Sequence, residues 1–212
     1  MATFGVVVLA AGGSGRMGRA KQLLPYLGRT LVEHAVRTAL ASGAAEVVVV
    51  VGAEAAAVRE RLRGLRIRIV ENRDWAEGMG GSISLGVGAL GASVERVVVA
   101  LGDQPRVTPQ HLHALGTAGG AVVASSYDGL LGAPCAFARS EFPSLLALEG
   151  DQGARALLRR DPDRVQVVVF EDANVDVDTP DDYRFLVPPT SVDEVPEPAL
   201  DTNEARGPPV AI

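Results

Sequence analysis

Four glycines and three cationic side chains lie within ten residues near the N-terminus. Glycine lets the backbone approach a ligand closely and turn its N–H groups toward it, and a run of such groups binds phosphate. The positive charges of two arginines and a lysine strengthen that attraction. We therefore predict a phosphate-binding loop in the segment Leu9-Ala10-Ala11-Gly12-Gly13-Ser14-Gly15-Arg16-Met17-Gly18-Arg19-Ala20-Lys21.

This loop fits neither of the two common phosphate-binding motifs. Gly13–Gly18 has the spacing of the dinucleotide fingerprint, but Pro25 interrupts the chain before a helix can begin, whereas the fingerprint glycines open a helix directly. The acid that binds ribose in that motif should follow after about 20 residues, and the first candidate, Glu54, lies much farther on. A P-loop ends in Gly-Lys-Ser/Thr, yet Lys21 is followed by Gln22.

Three aspartates are candidate metal ligands. Asp103 follows the apolar run Val97–Leu101, and a carboxylate at the end of a buried strand lies where open α/β sheets bind their ligands. Because Mg²⁺ binds through one or two carboxylates plus substrate phosphates, Asp103 is the first candidate ligand. The alternative is that it caps a turn before Thr108. Asp176 and Asp178 lie two residues apart and face the same way in an extended segment, so either is a candidate second ligand.

These side chains need a sheet to position them. Several β-branched runs are continuous valine blocks, which are typical of parallel strands buried on both faces. Cys135 also lies in a predicted strand, directly after Pro134. The other predicted strands are Phe4–Leu9, Val47–Val51, Ile67–Val70, Arg96–Leu101, Ala121–Ala124 and Val165–Phe170.

Helix start signals occur between these runs. Thr30 and Glu33 form a capping box, and proline at the first helical position follows Thr108 and Thr179. Asp151 is a candidate N-cap for another helix. The predicted helices cover Leu31–Leu40 and Glu54–Arg63 and begin after Thr108, Asp151 and Thr179. The alternation of strands and helices predicts a single α/β domain over residues 1–187, doubly wound with a mostly parallel sheet.

Composition narrows the function classes. A net charge of −6 without a basic face argues against nucleic-acid binding. The apolar runs are too short to span a membrane. A single cysteine fits a reducing compartment, and we expect a cytoplasmic protein.

We expect Trp75 to be a packing residue. We expect the three histidines to be structural or solvated rather than to form a metal cluster. They are His34, His111 and His113.

The C-terminal segment differs from the rest of the chain. Residues 188–212 contain six prolines, five acids and one arginine, with no periodic apolar face. Such a segment cannot bury enough apolar surface to offset the entropy lost on ordering. We therefore predict a disordered tail over residues 188–212.

Together these segments resemble a known enzyme family. Val8–Pro25 resembles the first signature of the glycosyltransferase-A-like nucleotidyltransferases, which sugar-nucleotide and isoprenoid-precursor transferases share. Asn72–Ser82 and Gly150–Arg155 narrow the resemblance to the molybdenum cofactor cytidylyltransferases. Leu101–Pro105 and Asp176–Asp181 match in the family order. The resemblance implies a Rossmann-type nucleotide-diphospho-sugar transferase fold.

The resemblance also implies roles for the glycine loop. Leu9–Gly18 would wrap the nucleotide, with Ala10–Gly12 near the base and ribose and with Arg16 and Lys21 on the triphosphate. Ala-Ala-Gly goes with CTP in this family, whereas guanylyl relatives usually carry Ala-Gly-Gly. Gly13–Gly15 departs from the bulkier or more basic residues of many relatives, which leaves fewer charges in the loop.

Metal and base contacts follow from the same resemblance. It implies that Asp103 holds Mg²⁺, with Asp176 or Asp178 as the second ligand, and that Arg16, Lys21 and Asp103 carry the catalysis. The residues implied to lie near the base and the reacting phosphates are Asn72, Gly80 and Ser82.

The implied reaction moves CMP from CTP to the phosphate of molybdopterin and releases pyrophosphate, with a molybdenum hydroxylase as the client enzyme. Two alternatives stay open. One is a nucleotidyltransferase with another base or acceptor, such as guanylyl transfer to molybdopterin or transfer to a phosphosugar or phospholactate. The other is a non-catalytic chaperone that binds the cofactor.

Overall fold

The computed structural model describes residues 3–127, 129–170 and 176–187. The predicted disordered tail lies outside the described residues. The strands are β1 Phe4–Ala10, β2 Pro25–Tyr26, β3 Arg29–Thr30, β4 Glu46–Val51, β5 Arg68–Glu71, β6 Arg96–Leu101, β7 Val122–Tyr127, β8 Leu130–Ala138 and β9 Val165–Val169. The α-helices are α1 Leu31–Ala41, α2 Ala55–Arg61, α3 Met79–Gly88, α4 Pro109–Thr117, α5 Phe142–Leu146, α6 Arg155–Arg160 and α7 Pro180–Leu186.

The main sheet has seven strands in the order β5-β4-β1-β6-β8-β7-β9. Strand β1 pairs in parallel with β4 and β6, so that Val6 aligns with Val47 on one side and Val98 on the other. Strand β8 is antiparallel to both of its neighbours, β6 and β7. The predicted α/β fold with a mostly parallel sheet is confirmed, and the predicted strand at Cys135 is nine residues long.

Helices cover both faces of the sheet, which explains the continuous valine blocks. Val6 and Val8 pack with α1, α2 and α4, whereas Val7 and Leu9 pack with α3, α5 and α6. Side chains that alternate along a strand therefore both enter a core. Full burial of each such side chain contributes roughly 1.5–3 kcal/mol, so the centre of the sheet is a rigid platform.

The predicted helix starts are confirmed at three places and wrong at one. Thr30 Oγ1 accepts a hydrogen bond from the Glu33 amide at 3.3 Å, and Thr108 caps α4 in the same way. Thr179 and Asp182 form a reciprocal capping box at α7. Asp151 caps no helix, because α6 begins only at Arg155.

Of the two roles expected for the histidines, His111 has the structural one, because it is buried. Its Nε2 lies 2.6 Å from Ser125 Oγ, and its ring stacks on Phe170 with 4.1 Å between centroids. Burial lowers the pKa of His111 to about 4. The imidazole is therefore neutral at pH 7 and serves as part of the core.

Within the described ranges, no helix is both long enough and apolar enough to cross a bilayer.

The lowered pKa of His111 predicts acid sensitivity. Below about pH 6.5 the unfolded chain takes up a proton that the folded protein resists until about pH 4, so stability present at pH 7 is lost in that window. The slope from this group is at most about 1.4 kcal/mol per pH unit. His111→Gln keeps a donor for Ser125 and removes the titration. We expect its melting temperature to fall less than that of the wild type between pH 7 and pH 5. Equal falls would contradict this assignment.

Candidate active site

A buried glutamine braces the glycine loop. Gln22 is 4% exposed, and its Nε2 donates to the carbonyls of Ala10 and Gly12. Its Oε1 accepts from Ser14 Oγ at 3.2 Å, and the Lys21 amide donates to the same hydroxyl at 3.1 Å. The loop is thus closed onto the short helical turn at residues 21–23. Sequence reasoning missed Gln22, although a polar side chain next to two leucines was a usable signal.

The glycines of the loop have distinct surroundings. A Cβ at Gly13 would lie 2.7 Å from the ring of Trp75, so only glycine allows this approach. A Cβ at Gly12 or Gly15 would meet nothing within 4 Å, which leaves their backbone open to a ligand. Trp75 contacts Gly13 as a packing residue would, but it is 36% exposed and also lines the neighbouring cavity.

The first cavity, of about 400 Å³, lies between the glycine loop and the N-terminal turn of α3. Four consecutive loop residues, 10–13, line it together with Trp75 and Ser82. Asn72 lies behind this wall and donates from Nδ2 to Ser82 Oγ at 2.9 Å. Gly80 also lies behind it, where its amide donates to the Gly150 carbonyl at 2.8 Å. The structure therefore makes Asn72 and Gly80 supports of the cavity rather than its lining.

The second half of the predicted loop does not line the first cavity. Met17 is buried in a small cluster with Leu24, Leu31 and Val177. Ser14 adopts a left-handed conformation with φ of +55°, and its hydroxyl is held by Gln22. Members of the predicted nucleotide-binding set that are absent from the lining of this cavity are Ser14, Gly15, Arg16, Met17, Gly18, Asn72 and Gly80.

Lys21 joins two of the predicted metal ligands. Its Nζ forms ion pairs with Asp103 at the end of β6 and, at 2.8 Å, with Asp178 Oδ1. Arg16 Nη2 contacts the other Asp178 oxygen at 2.7 Å. The Val177 amide donates to the Asp103 carbonyl at 3.1 Å, which fixes this segment beside β6. The sequence predicted these groups separately, and the structure brings them together.

Asp176 has a different partner. Its Oδ1 accepts from Gln104 Nε2 at 2.9 Å, and Gln104 also donates to the Ala133 carbonyl at 3.1 Å. Asp178, rather than Asp176, is therefore the acid that shares a cation with Asp103. Asp103 Oδ1 is buried, and it has no hydrogen-bond partner among the residues that the structure describes.

Lys21 and Asp178 stabilise each other's charges, whereas burial holds the pKa of Asp103 above its usual value despite the contact with Lys21. Burial disfavours the ammonium of Lys21, but Asp103 and Asp178 together hold the pKa of Lys21 above its usual value. Burial also acts to raise the pKa of Asp178, and the contacts with Lys21 and Arg16 overcome it and hold that pKa below the usual range. Lys21 and Asp178 are therefore both ionised at neutral pH.

A second cavity, of about 500 Å³, adjoins the first. Asp176, Asp178 and Arg16 line it on one side, and Arg155 and Arg159 of α6 line it as well. Its apolar lining includes Ile83, Val99, Leu101, Ala133 and Cys135. Both cavities are lined by Lys21 and Asp103, so two ligands placed in them would meet at these side chains.

Two carboxylates that converge on one cation are chemically suited to a divalent metal. Mg²⁺ takes one or two protein carboxylates and completes its shell with phosphate oxygens and water. No group of three or more His, Cys, Asp or Glu side chains is arranged for a metal among the residues that the structure describes. The arrangement fits a metal that arrives with a phosphorylated ligand better than one held by protein alone.

The sequence comparison decides the family. Residues 6–165 match the family described as MobA-like NTP transferase domain. The chain belongs to this nucleotidyltransferase family. It is 39% identical over 194 residues to nicotine blue oxidoreductase of Paenarthrobacter nicotinovorans, covering 85% of this chain and 95% of the relative. Purine catabolism protein PucB of Bacillus subtilis is 33% identical over 192 residues, covering 85% and 94%.

A further relative and the solved structures agree with this family. Molybdenum cofactor cytidylyltransferase of Escherichia coli is 26% identical over 193 residues, covering 86% of this chain and 95% of the relative. Rv0371c of Mycobacterium tuberculosis is 31% identical with a TM-score of 0.79, covering 87% and 97%. A manganese complex of Rv0371c has a TM-score of 0.76 at 30% identity with the same coverage.

The brace formed by Gln22 can be tested directly. Gln22→Ala removes the hydrogen bonds to the buried Ala10 carbonyl and to the carbonyl of the exposed Gly12, and the loss at the buried site costs about 1–3 kcal/mol of stability. We expect a lower melting temperature and nucleoside triphosphate binding weakened by about tenfold or more, since about 1.4 kcal/mol corresponds to tenfold. Gln110→Ala, on the exposed face of α4, is the matched control and should change neither quantity. Unchanged nucleotide affinity in Gln22→Ala would show that the loop holds its shape without the brace.

Proposed function

We propose that this chain transfers CMP from CTP to the phosphate of a molybdopterin-type cofactor and releases pyrophosphate, with Mg²⁺ as the metal. The observation that carries this proposal is the junction of the two cavities at Lys21 and Asp103. A transferase needs its donor and acceptor held on either side of the reacting phosphorus, and two adjoining cavities provide that arrangement.

The first cavity suits the nucleotide. Gly12 and Gly13 line this cavity, and the space beside Gly12 leaves its backbone accessible to a ligand. The ring of Trp75 closes one side of the cavity. The backbone of the loop leads from the cavity toward Arg16 and Lys21, whose charges suit a triphosphate. Support for cytosine comes from Ala10-Ala11-Gly12, the form associated with CTP in the family that the chain resembles.

The metal is assigned to Asp103 and Asp178. Two observations fit a site for a divalent cation. One oxygen of Asp103 is buried without a hydrogen-bond partner among the described residues, and both acids pair with the same ammonium. Bound Mg²⁺ would neutralise charge on the triphosphate and on the departing pyrophosphate. Asp176, held by Gln104, is then an outer residue that orients the segment. The manganese complex of Rv0371c supports a divalent metal in a relative of this chain.

The chemistry needs no protein nucleophile. An oxygen of the acceptor phosphate, already ionised, attacks the α-phosphorus of CTP. The bond from that phosphorus to the bridging oxygen breaks, and pyrophosphate leaves with the electron pair. Lys21 stays protonated and Arg16 is a permanent cation, so both stabilise the charge on the transferred group and the leaving group. Positioning by the two cavities supplies the remaining rate enhancement.

The acceptor is proposed from a relative. The Escherichia coli relative is named a molybdenum cofactor cytidylyltransferase, and its alignment covers 95% of that protein. We extend that acceptor to this chain, with a molybdenum hydroxylase as the client and the cytoplasm as the place of action. Guanylyl transfer, or transfer to another phosphorylated acceptor, would use the same junction with different cavity walls.

Base preference is tested by thermal shift. A ligand that binds only the folded state raises the melting temperature by an amount that grows with its affinity. We expect CTP with Mg²⁺ to raise the melting temperature more than GTP, ATP or UTP with Mg²⁺ at equal concentration. A larger shift with GTP would assign the protein to guanylyl transfer.

The role of the carboxylates is tested by charge removal. Asp103→Asn keeps the size of the side chain and removes its charge, and we expect pyrophosphate release from CTP and molybdopterin to fall on the order of 100-fold or more. Asp178→Asn should lose activity to a smaller extent, and Asp176→Asn least, because Asp176 does not contact Lys21. Asp163→Asn, on an exposed turn, is the matched control. Near-normal release from a folded Asp103→Asn protein would exclude this mechanism.

A second candidate function comes from the relative with 39% identity, which is named an oxidoreductase. Reduction would require a nicotinamide or flavin donor, and the glycine loop here runs into a short turn at residues 21–23 rather than opening a long helix. The discriminating measurement is the thermal shift with NADH and NADPH beside CTP and Mg²⁺. Stabilisation by NADH or NADPH but not by CTP would replace the transferase proposal.

A further inference from the structure

Two arginines on one short helix face the second cavity. Arg155 and Arg159 lie four residues apart on α6, a spacing that places side chains on the same helix face. Both line the second cavity, whereas Arg160 of the same helix does not. The cavity therefore has a cationic side that is separate from the glycine loop.

Arg155 reaches across the antiparallel part of the sheet. A Cβ added at Gly132 of β8 would lie 3.2 Å from Arg155 Nη2, so the guanidinium covers that strand. Burial raises the pKa of the Cys135 thiol to about 12, and the charge of Arg155 opposes this rise, as expected for a nearby cation. Strand β8 is two places from β1 in the sheet, which corresponds to roughly 10 Å. The guanidinium therefore lies over β8, two strands from the strand that leads into the glycine loop.

The two groups of cations differ in their partners. Arg16 and Lys21 are paired with Asp178 and Asp103. Within residues 3–127, 129–170 and 176–187, no carboxylate lies within ion-pair distance of Arg155 or of Arg159. Among the described residues, no acid shares the positive charge at α6, whereas Asp103 and Asp178 share the charge at Lys21.

Part of the lining of the second cavity is apolar. Leu9, Val99 and Leu101 of the parallel strands and Ala133 and Cys135 of β8 form this part of the wall. An apolar or flat molecular body packs well against such a surface. The charged lining consists of the loop cations Arg16 and Lys21, the two arginines of α6, and the acids Asp103, Asp151, Asp176 and Asp178.

We propose that Arg155 and Arg159 form an anion-binding subsite that selects the acceptor. The acceptor of this chain carries two anionic groups: a phosphate that reacts beside Lys21, and a second anion held by the guanidinium groups of α6. The body between them packs on the apolar wall of the second cavity. This inference depends on the proposed function only for the statement that the second cavity receives the acceptor.

The opposing explanation is that both arginines are solvated surface residues. All three arginines of α6 are exposed, but Arg160 does not line the cavity, so it is the control within the same helix. Replacement of each arginine by glutamine keeps much of the side-chain length and removes the charge. The variants to compare are the double variant Arg155→Gln/Arg159→Gln and the single variant Arg160→Gln.

The first experiment uses inorganic phosphate as the probe and requires no activity. Phosphate is titrated into each protein, and binding is followed by the broadening of its ³¹P resonance. A hydrogen bond to a charged group contributes about 1.5–3 kcal/mol, so we expect the dissociation constant to rise by about tenfold or more in the double variant. Arg160→Gln should bind as the wild type does. Equal binding by the two variants, or no binding to the wild type, would overturn the subsite.

The second experiment measures steady-state kinetics with CTP and molybdopterin. We expect the double variant to raise the KM for molybdopterin by about tenfold or more while the KM for CTP stays within about twofold. Arg160→Gln should change neither. Equal KM values for molybdopterin in both variants, with normal turnover, would reject the subsite and keep the proposed function. Selective loss of phosphate binding without any pyrophosphate release from CTP would keep the subsite and reject cytidylyl transfer.

Discussion

The contact of Lys21 with Asp103 and Asp178 is the interaction on which the site depends. It joins the glycine loop, the end of β6 and the segment before α7, which are far apart in the sequence. The side chains of Lys21 and Asp103 are each only 16% exposed, so neither charge would be stable there alone. Removing Lys21 would leave Asp103 without its cationic partner, and breaking a buried pair in this way commonly costs about 3–5 kcal/mol. The same three groups are then available, already aligned, for a metal and a triphosphate.

The sheet explains why these groups meet. Parallel strands end at the same edge, so the loop after β1 and Asp103 after β6 lie side by side. The antiparallel strand β8 changes this pattern by pairing with β6, which places Cys135 beside Val99. This insertion creates the floor of the second cavity and positions α6 above it. The fold thus builds the first cavity beside the parallel strands and the second cavity across the mixed region.

The names of the relatives show why the family alone leaves the acceptor open. Proteins named an oxidoreductase, a purine catabolism protein and a cofactor cytidylyltransferase all align with more than nine-tenths of their length. A shared fold supports many acceptors, because specificity depends on the residues that line a cavity rather than on the layers beneath it. In our proposal those residues are Arg155 and Arg159 of the second cavity. Measurements on this cavity therefore decide between relatives more directly than overall identity does.

The sequence by itself determined the layers and the phosphate loop. Continuous valine blocks can be buried on both faces only in a helix-covered sheet, and the capping signals at Thr30, Thr108 and Thr179 are local, so both could be read from the chain. Tertiary structure decided the rest. Contacts between distant segments make Gln22 the brace of the loop and pair Lys21 with Asp178 rather than with Asp176. They also place Asn72 and Gly80 behind the wall of the first cavity. Spacing along a chain fixes which face a residue occupies, but only packing fixes which partner it meets.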